Sequence, residues 1–320
     1  MTSSQYESEF RFEHLAYDDF NELLEFMSIG FDKPYGDKTD WAEWFHRRCP
    51  TGNAYTLVAR EKAGGRIVSS YTLLPINVVY NRQIVPGRLA VNAATHPAWR
   101  RRGLFVEMGK RILATAKEEG SFITVGVPNP KAVPGHCKVG WKDVCEIPFY
   151  ERRNPSSPSP GVDTALVDQF DKSIDGILER YASKLNFMIA KDHRFVNWRY
   201  ARPDQTYLKF VHKAPEGVDG YLVMKFFKTV DMTKAHIVDV MAENDDALAQ
   251  LVTTAEWHAR GLPLLNLWLI DGGIYRNTLE AMGFEKDSGN WSPLILYYHI
   301  DLGQLQRGAR WFCLGDNDVY

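Results

Sequence analysis

The chain repeats one order of sequence patterns, and this repetition restricts its possible folds more than any other feature. The first copy runs from Trp41 to Trp141 and the second from Phe195 to Phe284. Each copy opens with an aromatic block and closes with a Gly-aromatic pair, Gly140-Trp141 or Gly283-Phe284. Six paired elements in one order predict two related units of mixed α/β structure. The pairs are strands 55–60 and 207–212, strands 66–74 and 220–227, strands 89–95 and 236–241, helices 104–119 and 247–260, strands 122–127 and 264–270, and the helical endings before Gly140 and Gly283.

A segment rich in proline and serine separates the two copies. It reads Asn-Pro-Ser-Ser-Pro-Ser-Pro-Gly over residues 154–161 and cannot form a helix. The chain has 320 residues, which is enough for two separate cores. The sequence therefore predicts an N-terminal domain over 1–153 and a C-terminal domain over 162–320.

A strand, a basic turn and a helix follow one another between Arg88 and Val106. Leu89 to Thr95 form an apolar strand, Pro97 stops it, and the helical pattern begins at Leu104. The first amides of a helix lack intrahelical acceptors and carry a partial positive charge, so they favour a bound phosphate. Arg100, Arg101 and Arg102 add positive charge, and Gly103 allows the backbone to approach a ligand closely. These features predict a diphosphate-binding turn.

The same turn carries a resemblance to a known family. Arg100-Arg101-Arg102-Gly103-Leu104-Phe105 resembles the acyl-CoA-binding signature Arg/Gln-x-x-Gly-x-Gly/Ala of the GNAT acetyltransferase superfamily, although Phe105 replaces a small residue. The flanking strand and helix, the second apolar strand, Asn129 and the Gly-Trp ending occur in the family's order. The resemblance implies two tandem GNAT-like domains, with acetyl-CoA as co-substrate of the first. By resemblance, acetyl-CoA contacts Ala93, Ala94 and Thr95 of the strand, the whole run from Arg100 to Phe105, and Asn129.

The resemblance also directs attention to a proton donor for the departing thiolate. The family commonly places a tyrosine four residues before the glycine of its Gly-aromatic ending, where this chain has His136. An imidazole can exchange a proton near neutral pH, which makes His136 the predicted catalytic residue. The alternative is that His136 only packs its helix. For the base that receives the amine proton, His96, Asn92 and Asp239 all remain open, each with a structural alternative.

The second copy differs from the first where the diphosphate would bind. Its corresponding loop, residues 242–247, is acidic and has neither glycine nor arginine. An acidic loop repels a diphosphate, so this copy is predicted to shape the acceptor site instead. Asp239, Asn266 and Trp268 are the predicted acceptor-binding residues, with Trp268 stacking on a sugar or base. A purely structural second half is the alternative.

The acceptor is suggested by a narrower resemblance. Val127-Pro128-Asn129, Pro134-Gly135 and the ending Gly315–Tyr320 are similar to bacterial acyltransferases of surface-polysaccharide pathways. This resemblance implies an N-acetyltransferase that moves acetyl from acetyl-CoA to the amine of a nucleotide-linked amino-deoxy sugar. The alternatives are an aminoglycoside-like or peptide amine as acceptor, or a CoA-binding module without catalysis.

Composition limits the other function classes. A formal net charge of −2 argues against a nucleic-acid partner. No stretch approaches the ~20 apolar residues that span a bilayer, so no membrane partner is expected. The N-terminus is polar and unlike a secretory signal, which predicts a cytoplasmic protein. The four cysteines match no zinc spacing, so we expect no metal, while the oligomeric state stays open.

Overall fold

The computed structural model describes residues 3–16, 20–270 and 272–317. The last three residues of the predicted Gly315–Tyr320 ending lie outside the described residues. Two compact units are present, and each draws on separate parts of the chain. Unit 1 comprises residues 1–77, 85–144 and 293–303, and unit 2 comprises residues 78–84, 145–292 and 304–320.

The described helices and strands follow one another in the repeated order that the sequence predicts. The helices are α1 (Ser3–Glu9), α2 (Asn21–Phe31), α3 (Thr39–Arg47), α4 (Leu104–Glu118), α5 (Val133–Val139), α6 (Asp175–Ala182), α7 (His193–Arg199), α8 (Asp245–His258) and α9 (Arg276–Ala281). The strands are β1 (Phe10–His14), β2 (Tyr55–Glu61), β3 (Ile67–Tyr80), β4 (Gln83–Thr95), β5 (Ile123–Gly126), β6 (Lys142–Arg153), β7 (Thr164–Leu166), β8 (Phe187–Ala190), β9 (Leu208–Ala214), β10 (Gly217–Lys228), β11 (Thr233–Ala242), β12 (Leu264–Trp268) and β13 (Glu285–Tyr298).

Unit 1 contains a mixed sheet covered by an amphipathic helix. Its strand order is β1-β2-β3-β4-β5-β13, with β4 and β5 parallel and β5 antiparallel to residues 295–298 of β13. Helix α4 buries Leu104, Met108, Ile112 and Ala116, which lie on one face at helical spacing. These side chains join Phe10, Tyr71 and Trp141 in one apolar cluster. The start of α4 is thus held rigidly on the unit 1 sheet.

Unit 2 contains a second mixed sheet with the corresponding order. Its strands run β6-β12-β11-β10-β9-β7, with β11 and β12 parallel and the β9–β10–β11 meander antiparallel. Helix α8 begins at the cap residue Asn244, whose side chain accepts a hydrogen bond from the Ala247 amide. The two mixed α/β parts with the same order of elements, predicted from the repeat, are confirmed.

Each unit contains a strand contributed by the other half of the sequence. The end of β13 completes the sheet of unit 1, and residues 149–153 of β6 pair with β12 in unit 2. The contact-based units therefore differ from the sequence ranges 1–153 and 162–320. The assignment of acetyl-CoA binding to the first range and of the acceptor site to the second stays a prediction.

Candidate functional site

The turn before α4 has the backbone shape that a bound anion requires. Pro97–Trp99 form a 3-10 turn, and Arg101 and Gly103 then adopt left-handed conformations with φ of 63° and 79°. A Cβ atom on Gly103 would overlap Tyr6 Oη, which donates a hydrogen bond of 2.9 Å to the Arg102 carbonyl oxygen. Glycine is therefore needed here for its dihedral angle and for the close approach of Tyr6. Sequence patterns did not indicate a role for Tyr6.

Five consecutive amides at this turn have no acceptor among the described residues. The Gly103 carbonyl oxygen accepts from the Val106 and Glu107 amides at 3.1 Å, so helical bonding begins with these residues. Within residues 3–16, 20–270 and 272–317, no acceptor bonds the amides from Arg101 to Phe105. Backbone donors at a helix N-terminus match the oxygens of a diphosphate. The residues present thus fit the diphosphate of an acyl-CoA.

The three arginines of the turn have different surroundings. Arg100 donates to the Thr95 carbonyl at 3.0 Å and to the Gly30 carbonyl at 2.9 Å, which ties the turn to β4 and α2. Arg102 lies 3.6 Å from Glu9 and stacks on Trp99 at 4.6 Å from the ring centroid. Arg101 is exposed and has no ion pair or side-chain hydrogen bond with the described part of the chain. It is the arginine best able to meet a ligand phosphate.

Strands β4 and β5 separate next to this turn. Their parallel pairing extends from Gly87–Ile123 to Ala90–Gly126 and ends there. Asn92 has φ of 50°, a left-handed conformation within β4, and its buried Nδ2 has no partner among the described residues. Within the described ranges, no strand pairs with Ala93, Ala94 and Thr95 on the β5 side.

Two serines hold the other side of β4. Ser69 Oγ donates to the Ala94 carbonyl at 2.8 Å, and Ser70 Oγ donates to the Asn92 carbonyl at 3.0 Å. Both serines are buried, and each hydroxyl bonds a backbone carbonyl of β4. The sequence offered no signal for them, because serines in an apolar strand have many roles.

His136 lies inside an aromatic cluster of unit 1. Only 5% of the residue is exposed, and its ring packs edge-on against Phe105 and Trp141 at centroid distances of 5.0 and 5.1 Å. Nδ1 is 3.2 Å from Tyr71 Oη. Burial lowers the pKa of His136 to about 4 and raises the pKa of Tyr71. At neutral pH His136 is therefore an uncharged imidazole.

Phe105 stands where the family signature has a small residue, and a glycine of α5, Gly135, leaves space for its ring. A Cβ on Gly135 would lie 2.9 Å from two atoms of the Phe105 ring. Phe105 is half-buried against Tyr71 and His136, so its ring turns toward α5. The large side chain therefore packs against α5.

The remaining predicted residues near the turn make local hydrogen bonds. Asn129 Oδ1 accepts from the Ala132 amide at 3.1 Å, just before α5. His96 Nδ1 accepts from the Ala98 amide at 3.2 Å and caps the 3-10 turn. The bond at His96 matches the structural alternative considered for this residue, whereas the buried Nδ2 of Asn92 has no partner among the described residues.

Asp239 belongs to a buried charged network of unit 2. Lys191 Nζ lies 2.9 Å from carboxylate oxygens of both Asp239 and Asp316, and 3.2 Å from Cys313 Sγ. Tyr200 Oη donates to Asp239 at 2.9 Å. Burial alone lowers the pKa of Lys191, but attraction by the two carboxylates raises it well above its usual value. Asp239 is fully buried and paired, which makes a structural role sufficient to explain it.

Asn266 and Trp268 also lie in the interior of unit 2. Asn266 Oδ1 bonds His236 Nδ1, and Asn266 is 1% exposed. Burial, with the charge of Lys234 next in size, lowers the pKa of His236 to about 3. Trp268, also 1% exposed, packs on Phe149 and Phe312 at centroid distances of 5.9 and 6.3 Å. The structure places Asn266 beside His236, whereas Asp239 belongs to the separate network around Lys191. The acceptor-binding roles of Asp239, Asn266 and Trp268 stay predictions.

Comparison with known proteins agrees with this geometry. Residues 11–144 match the acetyltransferase (GNAT) domain. No curated protein sequence matches the chain. The matched range contains the turn at residues 100–105, the separated strands β4 and β5, and His136. The GNAT domain thus supplies the parts of unit 1 that would hold an acyl-CoA.

Solved structures show the same fold over about nine-tenths of the chain. A GCN5-related N-acetyltransferase from Anabaena variabilis has a TM-score of 0.72 at 13% identity, covering 91% of this chain and 73% of that one. A probable N-acyltransferase from Enterococcus faecalis has a TM-score of 0.69 at 13% identity, covering 90% and 72%. Saccharomyces cerevisiae N-myristoyltransferase with bound myristoyl-CoA has a TM-score of 0.63 at 11% identity, covering 91% and 83%.

The match of residues 11–144 to the acetyltransferase (GNAT) domain supports an acyl-CoA-dependent N-acyltransferase reaction, and the solved structures show that the chain shares their fold. No helix within the described ranges is long and apolar enough to cross a membrane. Among the described residues, no group of three or more His, Cys, Asp or Glu side chains is arranged to hold a metal ion.

Proposed function

We propose that this enzyme transfers acetyl from acetyl-CoA to the amine of a nucleotide-linked amino-deoxy sugar. The observation that carries the acyl-CoA part is the run of five amides, from Arg101 to Phe105, without an acceptor among the described residues. The acceptor part is supported by the sequence resemblance to surface-polysaccharide acyltransferases. Both parts have separate tests.

The residues of unit 1 have defined tasks in this proposal. The amides at the start of α4 bind the diphosphate, and exposed Arg101 adds a cation beside it. Main-chain donors near Ala93, in the opened part of β4, stabilise charge on the thioester oxygen. These donors are fixed by the fold before the ligand arrives. Binding therefore needs little reorganisation of the backbone.

His136 is proposed to act as a neutral hydrogen-bond donor. Its pKa of about 4 leaves no proton to release as imidazolium at pH 7. A thiolate has a pKa of about 8.5, so a hydrogen bond from the ring N–H is sufficient to stabilise the departing sulfur. Tyr71, 3.2 Å from Nδ1, orients the ring. Asn92, whose buried Nδ2 has no partner among the described residues, is proposed to position a water that accepts the amine proton.

The affinity for acetyl-CoA tests the proposed binding turn at residues 101–105. The Arg101→Gln variant loses one charge beside the diphosphate, and its dissociation constant for acetyl-CoA should rise about three- to tenfold. Lys110→Gln, at an exposed position six residues into α4, is the matched control and should bind as the unchanged protein does. Isothermal titration calorimetry measures both. Equal affinity of Arg101→Gln and Lys110→Gln would remove Arg101 from the proposed site.

Turnover tests the acceptor. Free thiol release should be measured with a panel of nucleotide-linked 3- and 4-amino-6-deoxyhexoses, alongside an aminoglycoside and a peptide amine. We expect release with at least one nucleotide sugar and loss of it in His136→Phe, with acetyl-CoA binding retained. Activity only on the aminoglycoside or peptide would overturn the sugar assignment, and unchanged turnover in His136→Phe would exclude its role.

Burial of His136 favours one further candidate, a CoA-binding module without catalysis. The imidazole is enclosed by aromatic rings and already contacts Tyr71. Tight binding of acetyl-CoA without thiol release on every acceptor would support this candidate. Measurable turnover on any acceptor would exclude it.

A further inference from the structure

The β10–β11 hairpin of unit 2 ends in a ribbon that extends beyond its neighbouring strands. Strand β9 pairs with β10 only as far as Met224, and β12 pairs with β11 only from Ala235. The segment 225–234 between these points is therefore a two-stranded ribbon. A two-stranded ribbon cannot bury both of its faces by itself.

Large apolar side chains are concentrated on this ribbon. Phe226 and Phe227 are 45% and 41% exposed, Met232 is 45% exposed, and Val230 at the tip is fully exposed. The tip is nonetheless well formed: the Thr229 amide donates to the Met232 carbonyl at 2.8 Å, and Thr229 Oγ1 accepts from the Met232 amide at 3.1 Å. The turn thus holds Val230 and Met232 outward. Contact of these apolar side chains with water is unfavourable.

The accessible charges of the ribbon are two lysines and one aspartate. Lys228 is exposed, Lys234 is partly exposed and Asp231 is exposed at the tip, whereas Lys225 is buried. Lys234 Nζ lies 5.8 Å from the Phe227 ring centroid, so a cation and an aromatic ring share one face. Lys228 is the last residue of β10 and precedes Val230 by two residues.

This arrangement matches the two layers of a lipid interface. Apolar side chains at a tip enter the acyl boundary by about 5–10 Å, while lysines nearer the body of the sheet meet anionic headgroups. We propose that the segment 225–234 docks this enzyme onto a bilayer surface that contains anionic lipids. The expectation of no membrane partner concerned spanning segments, and this proposal revises it for the surface.

Vesicle sedimentation of the full chain tests the proposal. The probes are sucrose-loaded vesicles of phosphatidylcholine with 30% phosphatidylglycerol, added for this assay at about 0.1 M NaCl, and vesicles of phosphatidylcholine alone. We expect binding to the anionic vesicles that weakens as salt is raised. The Val230→Ser/Met232→Ser variant should lose about tenfold or more of its partition coefficient. The Lys228→Gln/Lys234→Gln variant should lose about tenfold, only on anionic vesicles.

A matched control separates the ribbon from general exposure. Val162 and Leu166, 68% and 61% exposed, lie near β7 in the same unit, and Val162→Ser/Leu166→Ser should bind vesicles as the unchanged protein does. All variants should keep the unchanged melting temperature and acetyl-CoA affinity, which makes the outcome independent of the proposed reaction. Equal vesicle binding by the ribbon and control variants would overturn the proposal. So would the lack of binding by the unchanged chain, or light scattering that shows the ribbon forming a dimer.

Discussion

Because Tyr6 lies so close to Gly103, the effect of a substitution at Gly103 on the free energy of unfolding can be predicted. Gly103→Ala places a Cβ in a left-handed conformation at φ of 79°, which costs about 1–2 kcal/mol. The same Cβ overlaps Tyr6 Oη and displaces its hydrogen bond to the Arg102 carbonyl, a further loss of about 1 kcal/mol. We expect Gly103→Ala to lower the free energy of unfolding by about 2–3 kcal/mol in total.

The helix supplies its own control at the opposite end. Gly120 also has φ of 79°, but a Cβ there would meet no atom within 4 Å. Gly120→Ala should therefore cost only the backbone part, about 1–2 kcal/mol. Both variants are compared by urea unfolding, followed by circular dichroism and by tryptophan fluorescence.

A double-mutant cycle identifies the steric part. Tyr6→Phe removes the hydroxyl that meets the new Cβ, so Gly103→Ala should cost about 1 kcal/mol less in the Tyr6→Phe background. If Gly103→Ala and Gly120→Ala have equal stability within about 0.5 kcal/mol, the reasoning about Tyr6 is wrong. An additive cycle would refute it equally.

Two further predictions concern buried charge. The pKa of His136 falls from 6.5 to about 4 on folding, so the unfolded chain binds more protons than the folded chain between these pH values. The stability that this group contributes is therefore complete above about pH 6.5. It declines by about 3 kcal/mol as the pH falls toward 4. His136→Phe should flatten the dependence of unfolding free energy on pH in this window, and an unaltered dependence would contradict the assigned burial. Lys191→Met leaves Asp239 and Asp316 buried without their cation and should destabilise by about 3–5 kcal/mol in urea unfolding. Lys209→Met, at a half-buried lysine of the same unit, should cost less than about 1 kcal/mol, and equal losses would reject the network argument.

Several features of the fold were predictable because they are encoded locally. The amphipathic face of α4, with Leu104, Met108 and Ile112 at helical spacing, follows from periodicity alone. The left-handed Gly103 follows from the steric freedom of glycine before a helix start. The repeated element order likewise predicted two mixed α/β parts, because each copy carries its own strand and helix signals.

The positions of the charged and aromatic candidates were not predictable in the same way. Three adjacent arginines look equivalent in the sequence, yet Arg100 bonds the Gly30 carbonyl, 70 residues away, while Arg101 is exposed. Trp268 reads equally as a stacking surface or a core residue, and the ring contacts with Phe149 and Phe312 place it in the core. Such distinctions depend on which distant residues surround a side chain.

The sequence by itself therefore determined the order of the elements and the position of the basic turn before α4, because dihedral preference and hydrophobic period act over a few residues. Tertiary structure alone decided that β13 completes the sheet of unit 1, that Tyr71 and Phe105 enclose His136, and that Lys191 neutralises Asp239. The physical reason is that burial and charge pairing are properties of neighbours brought together by the folded chain, and a side chain's pKa and access to ligand follow from those neighbours.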